Sequence, residues 1–515
     1  MYSLRFTTMA LSRLADFPSA VNLALCLIAS MLIIAVANRP NLIYRSFERR
    51  GTQPFRWSPI HKVVREGYHE IIKKTGRPFV VRWWAKDYII MPPKYLNDVR
   101  GAGWQHLSFF ANISSALHLY TSVGDLYTAE SSQRMVDIVK RKLNPQIPHL
   151  TADLVEEIEF SLDKLLGDCS EWKHTKAMAL MAELTHRTAT RVLISKKACR
   201  DELFIRKSMS LLESIFITAL VIAKLPLGPL LGILAWPLGI LHRRKLYTAM
   251  ELLRPIVDER IQENVRTKDS DRHDAIQWTL ELFPQPANLE QKDRLLKELL
   301  HNLWAGSSAP GGMMTEIIWN LLLHRDYVPE LREEIEGAIN QYGWTEKMVN
   351  SLHLLDSFIR ETNRLSSTGS ITCVRTVVDK PFQFSDGLIL PAGTRFGFPS
   401  QAIQDDNQAL SNSSQFDGFR HANKNGREQS ETDGDRRDSA SSVDTHYLPW
   451  GYGNHVCPGR FFAVRLMKLV IAKLLLDYDI EWDRKMQDRP RPVHIEGQFV
   501  PNMSQKIALK KRIRD

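Results

Sequence analysis

One cysteine constrains this chain more than any other residue. Cys457 stands in the run Pro449-Trp450-Gly451-Tyr452-Gly453-Asn454-His455-Val456-Cys457-Pro458-Gly459-Arg460-Phe461-Phe462-Ala463, a glycine-rich loop that leads straight into an apolar helix pattern. No His or second Cys lies at zinc spacing, which argues against a closed tetrahedral site. A lone thiolate in such a turn fits a different task, the single axial ligand of a haem iron. Gly453 and Gly459 let the backbone approach a flat ring and aim amide N–H groups at the sulfur. The N-terminus of the following helix adds to the stabilisation of negative charge. The plainer alternative is a structural cysteine buried before a helix, and the surrounding spacing favours the ligand.

The rest of the chain has the material for a large core. It has 515 residues and is 44% hydrophobic, and an α-rich enzyme of this length can be one compact unit. The five cysteines, at 26, 169, 199, 373 and 457, are odd in number and widely spaced. They imply no disulfide framework and fit a reducing compartment. The formal net charge is +10. No Lys/Arg tract with interleaved aromatics points to nucleic acid. The basic balance suits anionic membrane lipid and an acidic electron donor.

Two apolar stretches bear on membranes. Residues 20–37 (AVNLALCLIASMLIIAVA) carry no charge and are just long enough to span as a helix. A cleaved signal peptide is the alternative, but the stretch is long for one and lacks a small-x-small cleavage site. Arg39, Arg45, Arg49, Arg50, Arg56, Lys62 and Arg65 follow it, and only Arg5 and Arg13 precede it. That asymmetry puts residues 1–19 in the lumen and the body in the cytosol. Residues 38–60 then form a basic linker, and 61–515 form the catalytic domain. The second stretch, 215–241, is interrupted by Lys224, Pro226, Gly228, Pro229, Gly232 and Pro237. It reads as a membrane-dipping segment rather than a second span, with a core helix pair as the alternative.

The expected fold is mainly α with a small β portion. Helical spacing runs through 130–200, 245–266 and 286–340, with a break at Tyr342-Gly343. Strand patterns fill 371–398, where Asp386-Gly387 marks a hairpin. Residues 421–445 read as a polar, solvated loop.

The Cys457 segment resembles the haem signature of the cytochrome P-450 superfamily, Phe-x-x-Gly-x-Arg-x-Cys-x-Gly. It matches at Gly453, Cys457 and Gly459, with Trp450 in the Phe position and His455 in the Arg position. Trp450 can cover the proximal side of the ring and donate its indole N–H. His455 can hydrogen-bond a haem propionate, with a charge that depends on pH. Glu361 and Arg364 share a helix face at three-residue spacing. The resemblance implies that they form a buried network with Arg420 of Phe416-Asp417-Gly418-Phe419-Arg420. It also makes Arg375 a propionate clamp, with Arg141 and Lys140 as weaker candidates.

The oxygen side departs from the pattern. Family members show Ala/Gly-Gly-x-Asp/Glu-Thr, an acid and an alcohol that relay protons. Here the stretch is Ala305-Gly306-Ser307-Ser308-Ala309-Pro310. Ser308 takes the acid slot and Ala309 the threonine slot, and Pro310 should kink the helix. Ser307 and Ser308 remain able to hold a water, unless Ser308 bonds back to its own helix.

The resemblance implies a membrane-anchored haem-thiolate monooxygenase of the endoplasmic reticulum. NADPH–cytochrome P-450 reductase would supply its electrons, with cytochrome b5 as a second donor. Arg460, Arg465, Lys468 and Lys473 read as the basic face on which the reductase docks. The stretches RPFVV, IIMPPKYLNDVR and FDGFR resemble fungal enzymes tailoring terpenoids, meroterpenoids and indole diterpenes. Pocket candidates lie in 104–119, 210–240, 304–312 and 367–373, largely apolar with several hydroxyls, which fits a lipophilic small-molecule substrate. Oxidative coupling, desaturation or ring rearrangement is the alternative chemistry. A non-catalytic haem-binding protein is the alternative of another class. Sequons at Asn112, Asn412 and Asn502 face the cytosol in this topology and should carry no glycan.

Overall fold

The computed structural model describes residues 42–51, 59–224, 231–266, 272–406, 410–422, 438–484, 486 and 488–513. The expected anchor at 20–37 and most of the 421–445 loop lie outside the described residues. Among the described residues, no helix is long and apolar enough to cross a membrane.

Among the described residues, thirteen short strands accompany the helices. They are β1 Glu48–Arg49, β2 Phe79–Trp83, β3 Lys86–Ile90, β4 Leu107–Ser108, β5 Lys173–Lys176, β6 Thr372–Val377, β7 Phe382–Gln383, β8 Ile389–Leu390, β9 Arg395–Phe398, β10 Tyr478–Trp482, β11 Val493–Ile495, β12 Gln498–Val500 and β13 Lys506–Lys511. The main sheet has the order β1-β2-β3-β9-β6-β4. Phe79 faces Ile90 across β2 and β3, and Ile89 faces Phe396 across β3 and β9. These side chains are fully buried, so the sheet is stabilised by apolar packing between strands. The β6–β9 register slips between Thr372 and Arg375, and Cys373 takes a positive φ of 51° there. Such a bulge re-aims the side chains that follow it, and Arg375 is one of them. The expected hairpin is β7–β8, turning at Gly387 with φ 89°.

The helices that position the site are α1 Leu96–Arg100, α2 Ala129–Asp137, α3 Thr151–Leu166, α4 Ala177–Leu193, α5 Glu202–Lys224, α6 Leu231–Leu238, α7 Ile240–Arg266, α8 Leu289–Leu323, α9 Tyr327–Tyr342, α10 His353–Leu365 and α11 Arg460–Asp477. The longest, α8, starts at Asn288, whose side chain accepts from the Gln291 amide and so caps it. It runs continuously through Pro310, which removes only the amide that would have bonded the Gly306 carbonyl. Its middle and end are buried, α4 lies along it, and Trp319 stacks on Trp482 at 5.2 Å. Helix α9 stops at Gly343, φ 61°, where the sequence breaks.

Among its described residues, the apolar segment 215–241 is not wholly core, as the alternative of a core helix pair would have it. Phe216, Ile217, Val221, Trp236, Ile240 and Leu241 are exposed on α5, α6 and α7. Nor is all of 421–445 solvated. Ser439, Ala440 and Ser441 are buried, because Arg360 donates to the Ser439 carbonyl and the Ala440 amide donates to Asp356. These backbone partners satisfy polar groups that composition alone assigns to water.

Candidate active site

The Cys457 loop is held by its own backbone. The Cys457 amide donates to the Trp450 carbonyl at 2.8 Å, and the Gly451 amide to the Leu448 carbonyl at 3.0 Å. Gly453 has φ 71°, and a Cβ there would lie 2.4 Å from the Arg100 carbonyl oxygen. Glycine is therefore demanded at 453 by the end of α1. Trp450 is buried, and its indole N–H goes to the Ala440 carbonyl at 2.7 Å. The indole N–H expected to donate therefore does so, to a backbone carbonyl. Burial, the largest effect, holds the Cys457 thiol pKa above its ordinary value, and the Gly459 amide, the Arg460 charge and the Arg460 amide offset part of it. The sulfur therefore sits at the start of α11, facing two backbone donors, as a thiolate ligand requires.

Beside it lies a cationic niche short of anions. Arg375 is 1% exposed, and burial pushes its pKa down to about 10. It donates to the Val374 and Tyr452 carbonyls, and its Nε has no partner. His455 packs on Trp104 at 4.4 Å, with the Ala102 backbone as a hydrogen-bonding neighbour of its ring. Burial first, then the Arg375 charge, push its pKa down to about 3, so it is neutral here. A buried guanidinium without a carboxylate is costly. Arg375 and His455 thus fit a group that brings carboxylates, as haem does through its propionates. Arg141 does not join them: it is largely exposed and reaches Asp137 at 3.8 Å. Lys140 is the neighbour whose charge acts on His455. The helix becomes a π-helix over Ile138–Leu143, which shifts the facing that simple helical spacing assigns.

The three-residue network forms as expected. Arg364 grips Glu361 through two hydrogen bonds of 2.8 Å, and Arg420 Nε reaches the same carboxylate at 3.1 Å. Arg420 also donates to the Ser411, Asn412 and Gln415 carbonyls, and Arg364 to the Gln404 carbonyl. Glu361 is fully buried. Burial alone would raise its pKa; the Arg364 hydrogen bonds, His421 Nε2 at 3.6 Å and the arginine charges hold it at about 2. The cluster ties α10 to the segment before the Cys457 loop. Gln404 completes the tie by accepting from the Leu448 amide.

On α8, Ala305 and Ala309 are exposed within an otherwise buried stretch, one turn apart on one face. Ser308 is half-buried and makes no hydrogen bond among the described residues. The side chain that bonds back is Ser307, to the Leu303 carbonyl at 2.7 Å; it also meets His186 Nδ1 at 3.1 Å. Ser307 is thereby turned toward α4, away from the Ala305–Ala309 face. Gly306 packs the same way, since a Cβ there would meet Leu193 at 2.5 Å.

The expected basic docking face is not one. Lys468 is 1% exposed and pairs with Asp356 at 2.8 Å. Arg465 pairs with Glu346, Lys473 with Glu159 and Asp477, and Arg460 donates to the Ser441 and Cys457 carbonyls. Helix α11 is buried almost all round, so its cations are internal ties. Sequence reasoning also missed His301, paired with Tyr127 at 2.8 Å. It lies four residues before Ala305, so extending that helical stripe by one turn finds it.

Residues 149–505 match the Cytochrome P450 family. The chain is 35% identical to the cytochrome P450 monooxygenase sirB of Leptosphaeria maculans, covering 90% of this chain and 88% of that protein. It is 28% identical to an ent-kaurene oxidase of Gibberella intermedia, over 88% of this chain and 84% of the relative. It is 26% identical to the cytochrome P450 monooxygenase paxP of Penicillium paxilli, over 92% and 86%.

Proposed function

On the premise that this chain belongs to the cytochrome P450 family and is a monooxygenase of that family, we propose that it oxidises a bulky lipophilic natural product in fungal secondary metabolism. A terpenoid, meroterpenoid or indole diterpene is the substrate class. The observation that carries this reading is near full-length similarity to fungal monooxygenases, including relatives named for oxidising ent-kaurene, a diterpene hydrocarbon.

Cys457 would hold the haem iron through its sulfur, which the Gly459 and Arg460 amides face. Haem, when bound, supplies the activation of dioxygen that protein side chains lack. Arg375 and His455 would hold its carboxylates. Glu361, Arg364 and Arg420 keep the loop in place. Ser308 is the hydroxyl left to hold a water on the oxygen side. Electrons come from NADPH through a reductase, with cytochrome b5 as a second donor. The reductase docks away from the internally paired cations of α11, and exposed Lys140 and Arg141 offer charge beside the loop. Residues 20–37 tether the enzyme to the endoplasmic reticulum, and the exposed apolar face of α5, α6 and α7 rests on the same membrane.

One observation favours a second reading, oxidation without oxygen insertion: Ala309 and Ser308 stand where an alcohol and an acid would relay protons. Reconstitution with NADPH, reductase and labelled dioxygen on ent-kaurene, its hydroxylated derivatives and related diterpenes tests both. One labelled oxygen in the product is the expected result. An unlabelled coupled or desaturated product favours the second reading, and absence of reductase-driven turnover across the substrate class overturns both.

A further inference from the structure

The face of α8 just before Ala305 carries polar groups that the account above does not use. A cavity of about 30 Å³ lies between α5, α7 and α8, lined by Tyr127, His242, His301 and Trp304 among aliphatic side chains. That is room for one small polar group. Lys297 also lines it, with its amine turned to the Val123 carbonyl at 3.4 Å.

The protonation of the lining follows from its hydrogen bonds. The buried Tyr127 hydroxyl meets His301 Nδ1 at 2.8 Å, and burial holds the phenol protonated and the imidazole neutral. The phenol, the stronger donor, gives its proton to Nδ1, which leaves the ring N–H on Nε2. No hydrogen bond among the described residues reaches that Nε2. The Trp304 indole N–H is buried without a partner. On α5, the Ser214 hydroxyl donates to the Leu211 carbonyl at 2.6 Å and so accepts at 2.7 Å from Nδ1 of His242 on α7. His242 Nε2 is left as a bare acceptor, buried and unpaired. The lining therefore offers two donors and one acceptor.

A hydroxyl accepts two hydrogen bonds and donates one. A carbonyl leaves His242 unmet, and a hydrocarbon leaves both His242 Nε2 and the Trp304 N–H buried and unsatisfied. We propose that this cavity is a subsite for a hydroxyl of the substrate, held by His301, Trp304 and His242, while the apolar body lies along Ala305 and Ala309. Eight residues separate His301 from Ala309, so the hydroxyl sits roughly 12 Å from the oxidised carbon. The substrate is then a lipophilic skeleton already oxygenated by an earlier step. This inference rests on the lipophilic-substrate reading above.

The test uses an isosteric pair, adamantan-1-ol and 1-methyladamantane, with binding to the holoenzyme measured by equilibrium dialysis. Trp304→Phe and His242→Phe should each weaken the alcohol about tenfold, the worth of one buried hydrogen bond, and leave the methyl probe within about twofold. Circular dichroism checks the fold of each variant. Parallel changes for both probes, an unchanged alcohol affinity, or no alcohol binding to the unaltered enzyme would overturn the proposal and leave the cavity to a buried water. The carbon monoxide spectrum of the reduced protein is read separately. A missing thiolate-type band with the alcohol preference intact sinks the haem reading alone, and a normal band with no alcohol preference sinks the subsite alone.

Discussion

The sulfur side and the oxygen side of this site are built from different material. Around Cys457 the loop is fixed through its backbone: the Cys457 amide on the Trp450 carbonyl and Gly453 against the Arg100 carbonyl, with the Arg420 side chain holding the Ser411, Asn412 and Gln415 carbonyls of the preceding segment. On α8 the determinants are single side chains, and there Ser308, Ala309 and Pro310 replace the residues expected of the family. Backbone contacts tolerate a changed side chain, so Trp450 and His455 stand in the signature without disturbing the loop. A relay made of side chains has no such reserve. The cysteine side thus specifies the oxidant, and the α8 side specifies what the oxidant does.

The largest effect should come from removing the carboxylate that organises the sulfur side. Glu361→Gln leaves Arg364 and Arg420 buried beside a neutral amide and should cost about 3–5 kcal/mol, seen as a lower Tm and loss of haem content. A variant as stable as the parent would mean that the network is dispensable. The pH dependence has a definite sign. Glu361 is held at about 2, below its ordinary 4.5, so its contribution is complete above pH 4.5 and is lost as pH falls toward 2. The Gln variant should show a shallower loss of Tm over that window.

Gly453→Ala should come next. It forces a Cβ to 2.4 Å from the Arg100 carbonyl oxygen at a φ of 71°, a strain of about 1–3 kcal/mol. Thermal melts and haem retention would show it. Gly459→Ala is the control, because nothing lies within 4 Å of its Cβ position; equal damage from both would remove the stated cause.

Trp450→Phe deletes one hydrogen bond to Ala440 and should cost about 1 kcal/mol, since Tyr447 still donates to that carbonyl. A change in the Soret band instead would return the indole to the haem. The smallest effect should be Ser308→Ala, under about tenfold in turnover, against the 10²–10⁴ of a full acid–base group. Loss of activity on that larger scale would make Ser308 a relay in its own right and erase the contrast between the two sides.

Sequence spacing revealed much of the sulfur side, because an ordered set of short motifs encodes loops with fixed backbone geometry. Glu361, Arg364 and Arg420 meet as their order implies, and the β7–β8 turn follows from Ser-Asp-Gly. What spacing could not show was burial. Four cations on α11 read as a docking face, yet that helix is buried on nearly every side, and Lys468 finds Asp356 inside. A helix hydrophobic all round is a core helix, and its charges must pair. Residues 439–441 look polar in composition but are enclosed by partners on α10 that lie some eighty residues away in sequence. Arg141 failed for a local reason, the π-helical stretch that breaks the 3.6-residue facing. Asn112 shows the reverse case. Its sequon is visible, but the residue is 2% exposed and bonded to Tyr88, so it should carry no glycan whatever the topology.

The carbon monoxide difference spectrum of the reduced protein tests the central claim most directly. The account predicts a thiolate-type Soret shift in the unaltered enzyme and its disappearance in both Cys457→Ala and Cys457→His. A shift that survives either substitution, or is absent from a folded, haem-loaded parent, would contradict the assignment of Cys457.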